Sequence, residues 1–232
     1  MPLKIFKLFV LVLLFSSANK ASAQIIKDIQ VSSEQKAFTK WFDNQAGTET
    51  APIYNGVTYP LRMIARNGHQ FFNDNKWLEG NVCFEGQWYF DILLLYDIID
   101  NQIVVKFQNN AISPDMSRID YFTLGENSFL KVKNNNSEEF FQLLFKGNNV
   151  DLMAKHKKTL KLNSGGYEIE KSTSYFLSDG NELFTLRSKN TLKNISPDAK
   201  AIARRIKSKE AKFNLRKQNL LVAFIKGFDA EL

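Results

Sequence analysis

From Ile53 onward, short apolar and aromatic runs alternate with compact turn signals at Asn55-Gly56, Arg66-Asn67-Gly68, Glu85-Gly86, Asp100-Asn101, Gly125-Glu126-Asn127, Lys146 to Asn149, Ser164 to Gly166 and Asp179 to Asn181. Most of the later turns are separated by roughly fifteen to twenty residues, the length of two strands and a second, less conspicuous turn. That spacing predicts consecutive antiparallel hairpins and leaves no room for the crossover helices of a parallel sheet. Trp88 to Asp97 reads as a central strand and Gln102 to Phe107 as its return across Asp100-Asn101. Phe129 to Lys133 alternates with period two, so one of its faces is wet. Glu139 to Phe145 is more buried, with a return over Asn149 to Met153. About ten to twelve strands are expected between 53 and 187, and an open sheet of that size curls or splits into two layers. The expected fold is mainly β: an antiparallel meander forming a curled sheet, a barrel-like roll or a sandwich, with a short N-terminal helix and C-terminal helices.

The helical segments announce themselves by a different period. Ile29 to Asn44 reads as an amphipathic helix, capped by Ser32 or Ser33, with Ala37, Phe38, Trp41 and Phe42 on its apolar face. Gln45 to Pro52 has no periodicity and reads as a linker. Ser196-Pro197-Asp198 combines a cap, a proline at the first helical position and an acid in the first turn. Ala199, Ile202, Ala203 and Ile206 line one face of the helix that follows. A last helix over about 216–228 carries Leu220, Leu221, Phe224, Ile225 and Phe228 as a stripe that must be covered by the β body or by a partner. An internal echo, Tyr54-Asn-Gly-Val-Thr-Tyr59 against Phe84-Glu-Gly-Gln-Trp-Tyr89, suggests two similar hairpins, each with a glycine turn.

The first residues have the pattern of an export signal: basic Lys4 and Lys7, the apolar run Leu8 to Phe15, and small residues at Ala21-Ser22-Ala23. The apolar run is too short to cross a roughly 30 Å hydrocarbon layer. No later run of about 18 apolar residues supplies an integral segment after cleavage, and no cysteine stands at the cleavage point to carry a lipid anchor. The organisation read from the sequence is a signal peptide at 1–23, an N-terminal helix and linker at 24–52, an antiparallel β domain at 53–192 and a basic helical segment at 193–232.

Charge sharpens this division. The whole chain carries +7, but 185–232 carries +8, the mature body 24–184 carries −4, and the remaining three lysines lie in the signal. On an exported chain a basic tail meets anionic lipid, saccharide phosphates or an acidic protein rather than nucleic acid. Cys83 is the only cysteine, so no internal disulfide forms, and its place in a strand reads as a small buried hydrophobe. Stability must come from a core, for which 44% apolar residues and 20 phenylalanines are ample.

Catalytic signals are weak, and no catalytic residue, metal ligand or cofactor is assigned. His69 and His156 stand in no His-Glu-x-x-His arrangement, and there is no Gly-x-Ser-x-Gly elbow or glycine-rich phosphate loop. Asp97 and Asp100 flank a turn and read as its caps. Trp77 and Trp88, with His69 and neighbouring aromatics, are the candidate ligand-binding residues, since flat rings can cover the apolar faces of a glycan. Leu221, Phe224, Phe228, Arg204 and Arg205 are the candidate partner-binding residues.

The Tyr54 to Tyr59 opening, the segment Gly80-x-Val-x-Phe-x-Gly-x-x-Tyr89 followed by Leu95-Tyr96-Asp97, and the lysine-rich end after Pro197 resemble exported envelope proteins of Bacteroidota that share no agreed activity. The resemblance implies the periplasm or the periplasmic face of the outer membrane, with secretion as the alternative, and transfers no site residue. The expected function is a non-catalytic envelope accessory or binding protein, with a subunit of an outer-membrane-associated complex as one form of it. The alternatives are a lipid- or glycan-binding β module and, behind it, a hydrolase.

Overall fold

A computed structural model describes residues 32–46, 51–61, 65–134, 137–206 and 211–232. The expected signal at 1–23, and Lys207 and Lys209 of the basic tail, lie outside the described residues. Among the described residues there are eleven strands: β1 (Val57–Thr58), β2 (Leu78–Phe84), β3 (Gln87–Asp97), β4 (Gln102–Phe107), β5 (Asn110–Ser113), β6 (Ile119–Leu124), β7 (Asn127–Asn134), β8 (Ser137–Phe145), β9 (Asp151–Asn163), β10 (Gly166–Ser178) and β11 (Leu183–Thr185). They form one antiparallel sheet in the order β1-β5-β4-β3-β2-β6-β7-β8-β9-β10-β11, which does not close on itself. The helices are α1 (Ser33–Ala46), α2 (Ala199–Arg205) and α3 (Gln218–Asp229).

The turn chemistry explains the hairpins. Glu85 and Gly86 between β2 and β3 both have positive φ, 51° and 76°, the conformation of a two-residue turn whose twist matches the strands it joins. The echo of this motif at Tyr54 to Tyr59 does something else. There a 3-10 turn, Pro52–Tyr54, leads into β1, which pairs with the distant β5 through Val57 opposite Ser113 and Thr58 opposite Ile112. The two copies are therefore not two similar hairpins: the second glycine supports a tight turn, whereas Gly56 lies so close to β5 that an added Cβ would stand 2.1 Å from the Ser113 carbonyl oxygen.

The sheet also departs from a pure meander at one connection. β6 returns beside β2 instead of β5, after a short link whose 3-10 turn Met116–Arg118 is capped by the Asp115 carboxylate. Arg118 ties the link to the β2–β3 turn, pairing with Glu85 and covering the Phe84 ring at 4.4 Å.

The sheet curls so that β9 meets the end of β3, where Lys158 N–H donates to Ile98 O at 3.4 Å, and residues 65–72 strap β3 to β10. Phe72 N–H donates to Tyr96 O at 2.7 Å and Ile98 N–H to Gln70 O at 3.1 Å, so the strap continues the sheet beside the end of β3. Its other end meets β10: Arg66 N–H donates to Tyr167 O, and the Asn67 side chain bonds both N–H and C=O of Ile169. Inside, Leu94, Tyr96, Ile103, Phe122, Phe129 and Phe140 share a core with Phe72 of the strap. The next residue along β3, Leu95, points to the other side and packs with Val104, Tyr59 and Phe71, as period two requires.

The C-terminal helices complete the second half of the core. Leu221, Phe224, Ile225 and Phe228 of α3 are each at most 1% exposed and pack with Leu152, Ala154, Tyr175 and Leu177 of the sheet and Ile202 of α2. Asp229 at the end of α3 clamps the β8–β9 turn: its carboxylate accepts from the backbone N–H of Asn148, Asn149 and Val150 at 2.8–2.9 Å. No helix among the described residues is long and apolar enough to cross a membrane.

At the N-terminal end, the apolar residues Ala37, Phe38 and Trp41 of α1 are exposed. The helix is held instead by charge. A bulge in β3 gives Asp91 a φ of 53° and aims its carboxylate at Lys36 and Lys40, a use of bulges seen where a side chain must be re-aimed.

Candidate functional site

A cleft of about 310 Å³ opens where β1, the strap and β9 meet, lined by Tyr59, Gln70, Asp97, Asp100, Gln102 and Ser113 among polar groups and by Val57, Ile99 and Leu160 among apolar ones. Its wall is a fixed hydrogen-bond network. Asp97 is 2% exposed; its Oδ1 accepts from Ile99 N–H at 2.8 Å and Asp100 N–H at 3.1 Å, while Oδ2 accepts from the Tyr59 hydroxyl at 2.6 Å. The Tyr59 oxygen in turn accepts from Gln70 Nε2 at 3.1 Å. With its hydroxyl proton committed to Asp97, Tyr59 has none for the amide oxygen, and Gln70 Oε1 is buried with no hydrogen-bond partner among the described residues. A buried polar atom without a partner costs about 1–3 kcal/mol.

The ionisation of these groups follows from burial. Desolvation pushes the Asp97 carboxyl above its ordinary pKa, opposed by its hydrogen bonds from Tyr59 and the Asp100 and Ile99 N–H groups. Burial and the adjacent Asp97 carboxylate push the Tyr59 phenol up as well. Beneath the strap, Lys158 is 3% exposed and donates to the carbonyls of His69, at 2.8 Å, and Phe71. Burial, and then the charge of Lys171, lowers its pKa to about 8, with Asp97 acting the other way.

The residues singled out from the sequence do not converge on this cleft. His69 lies in the strap beside Phe71, with ring centroids 6.1 Å apart. Its Nδ1 is buried without a partner among the described residues, and burial with Lys158 and Lys171 lowers its pKa. No carboxylate or hydroxyl hydrogen-bonds it among the described residues. Trp77 packs on the cluster containing Tyr59 and Phe71, backing the cleft wall. Trp88 is elsewhere: it stacks on Phe90 at 5.9 Å, meets Tyr121 edge-on at 5.5 Å, and lines a shallower hollow under α1. The aromatic cluster expected from sequence proximity is thus two separate patches.

The partner-binding candidates divide too. Leu221, Phe224 and Phe228 belong to the protein's own core and present no apolar face outward, because sheet and α2 already cover them. Arg205 pairs with Glu231 at 2.7 Å, whereas Arg204 lines an open groove on α2. The cleft residues themselves were missed by the sequence reading, apart from Asp97 and Asp100. Asp97 does cap its turn, as that reading expects, but nothing local in the sequence joins it to Tyr59 and Gln70, 38 and 27 positions earlier. Cys83 is half-buried on β2, and burial raises its thiol pKa, which opposes nucleophilic reactivity.

Comparison with protein-family models, with curated proteins and with solved structures returned no match to this chain.

Proposed function

We propose that this protein is a non-catalytic binding protein of the bacterial envelope whose cleft recognises a neutral, hydroxyl-rich ligand of the saccharide class. The observation that carries this reading is the acceptor-rich lining of the cleft, in which Gln70 spends its amide nitrogen on Tyr59 and keeps a buried Oε1 without a partner among the described residues. Around it the described lining offers further acceptors on Asp100 and the Ser113–Gln102 pair, joined at 2.8 Å, and no basic side chain. Excess acceptors select a ligand that brings donors and disfavour an anion. Val57 and Leu160, both exposed at the rim, provide apolar surface for the C–H face of a sugar ring. The periplasm or the periplasmic face of the outer membrane is the proposed location, on the strength of the N-terminal signal pattern.

The test is calorimetric titration of residues 24–232 with a panel of neutral mono- and oligosaccharides, repeated with Gln70→Met. Binding to at least one saccharide, weakened about tenfold or more by the variant at unchanged Tm, is the expected result, since removing one partner of a buried polar contact costs about 1–3 kcal/mol. A panel without a binder, or equal binding by both proteins, contradicts the reading. One observation favours the second reading, a subunit of an outer-membrane assembly: Phe38 and Trp41 on α1 are 66% and 58% exposed and lie 6.1 Å apart. Co-purification of a stoichiometric outer-membrane partner, lost in Phe38→Ser/Trp41→Ser, is what that reading requires.

A further inference from the structure

Four of the twelve basic residues of 185–232 line a single opening. Between the 3-10 turn Lys189–Asn194 and α2 lies a groove of about 290 Å³, lined by Lys189, Lys193, Lys200 and Arg204 together with Asn190 and the two alanines Ala199 and Ala203. Four cations therefore face one opening, and no carboxylate is among the described lining residues. None of the four forms an ion pair among the described residues, although the neighbouring Arg205 is paired with Glu231. Holding like charges together raises their mutual repulsion, which an incoming anion relieves.

The groove is also built on the core. The Lys189 ammonium lies 5.3 Å from the centroid of the Phe224 ring and 5.9 Å from that of Phe213, contacts that hold a cation in place. Phe224 is 1% exposed, and Ala199 at 2% anchors α2 to the same core. We propose that this groove is an anion site for the phosphate of a lipid headgroup, distinct from the acceptor-rich cleft and able to seat the protein on an anionic membrane surface. The chemistry fits a phosphodiester: an arginine fork and three lysine ammonium groups supply donors, Asn190 adds an amide, and the open mouth lets the esterified chains remain in the bilayer. The proposal is independent of the saccharide reading, since the two sites share no lining residue.

The experiment is flotation of residues 24–232 with vesicles of phosphatidylcholine alone and of phosphatidylcholine with phosphatidylglycerol, alongside NMR titration with inorganic phosphate. The wild-type protein is compared with Lys193→Gln/Lys200→Gln/Arg204→Gln and with Lys106→Gln/Lys157→Gln/Lys171→Gln, which removes the same charge from exposed positions of the β body. Binding is expected to the phosphatidylglycerol vesicles only and to weaken as salt is raised. The groove variant should lose roughly a hundred-fold in affinity, taking each basic residue near the surface to contribute about fivefold, while the β-body variant stays within a few-fold of wild type. Equal losses in the two variants would show attraction by net charge alone and overturn the site, as would equal binding to both vesicle types. Shifts at groove residues with inorganic phosphate but no vesicle binding would overturn the lipid source and leave free phosphate as the ligand. Unchanged Tm and amide dispersion in both variants separate these outcomes from misfolding.

Discussion

His156 shows how the interior of the roll disposes of a titratable side chain. Its Nε2 lies 2.7 Å from Gln142 Oε1, while the Gln142 amide nitrogen donates to Asn127 Oδ1 and Thr173 Oγ1 sits 3.1 Å from Nδ1. This arrangement suits the neutral ring with its proton on Nε2, and burial lowers the pKa from 6.5 to about 4. In the unfolded chain the ring takes up its proton near pH 6.5, so between roughly pH 6.5 and 4 the unfolded state binds more protons and stability falls as pH falls. Urea denaturation at pH 7, 5.5 and 4.5 should show wild type losing about 1–3 kcal/mol more over this range than His156→Gln. Parallel losses would refute a neutral, half-buried His156.

Lys158 has the same sign at higher pH. It is protonated in both states below about pH 8, and between pH 8 and 10.5 only the unfolded state retains the proton, so its contribution to stability grows on going alkaline. Lys158→Met should cost about 1–3 kcal/mol at pH 7 through the strap carbonyls it leaves. The gap to wild type should widen from pH 8 to 10.5, as chemical denaturation at the two pH values would show. Neither role was legible in the sequence. His156 and Lys158 stand in a run, Lys155 to Lys158, that reads as a basic strand end, and only the curl of the sheet turns alternate members inward.

At the scale of elements, α3 is joined to the sheet by packing and by a polar clamp, and the two are separable. Phe224→Ala and Phe228→Ala should each destabilise by about 3–5 kcal/mol, measured by thermal or urea unfolding. Asp229→Ala should cost about 2–4 kcal/mol because three buried or half-buried N–H groups of the β8–β9 turn lose a charged acceptor. Asp229→Asn, which keeps one acceptor oxygen, should cost less. Equal effects of Asn and Ala would contradict the clamp. Gly147 belongs to the same device: a Cβ there would stand 2.3 Å from the Val150 carbonyl oxygen and 2.7 Å from the Asp229 carboxyl carbon. The helix itself was readable from Leu221, Phe224, Ile225 and Phe228 at helical spacing. The clamp was not, because Asp229 and Asn148 are 81 positions apart, and the stripe alone could not say whether its cover came from this chain or another.

Over the whole molecule, turn chemistry and strand alternation made the antiparallel sheet legible, down to β3 and β4 around the Asp97 to Asn101 turn. Strand order was legible only where hairpins are local. The return of β6 to β2, the pairing of β1 with β5 and the strap at 65–72 depend on contacts between distant segments, and the cleft is assembled at their meeting. For this reason Tyr59, Gln70, Asp97 and Leu160 carry no shared motif, while Trp77 and Trp88, close in sequence, fall in different places. The molecule keeps two chemically opposite openings, an acceptor-rich cleft on the sheet and a cationic groove beside the C-terminal helices. The cleft is best tested by mapping amide and side-chain shifts while titrating a neutral saccharide identified by calorimetry. Saturable shifts are expected to centre on the Gln70 side-chain amide, Thr58, Asp100 and Ser113, with the C-terminal groove unaffected. Saturable shifts centred instead on Trp88 and Phe90, with the Gln70 amide unmoved, would contradict that site.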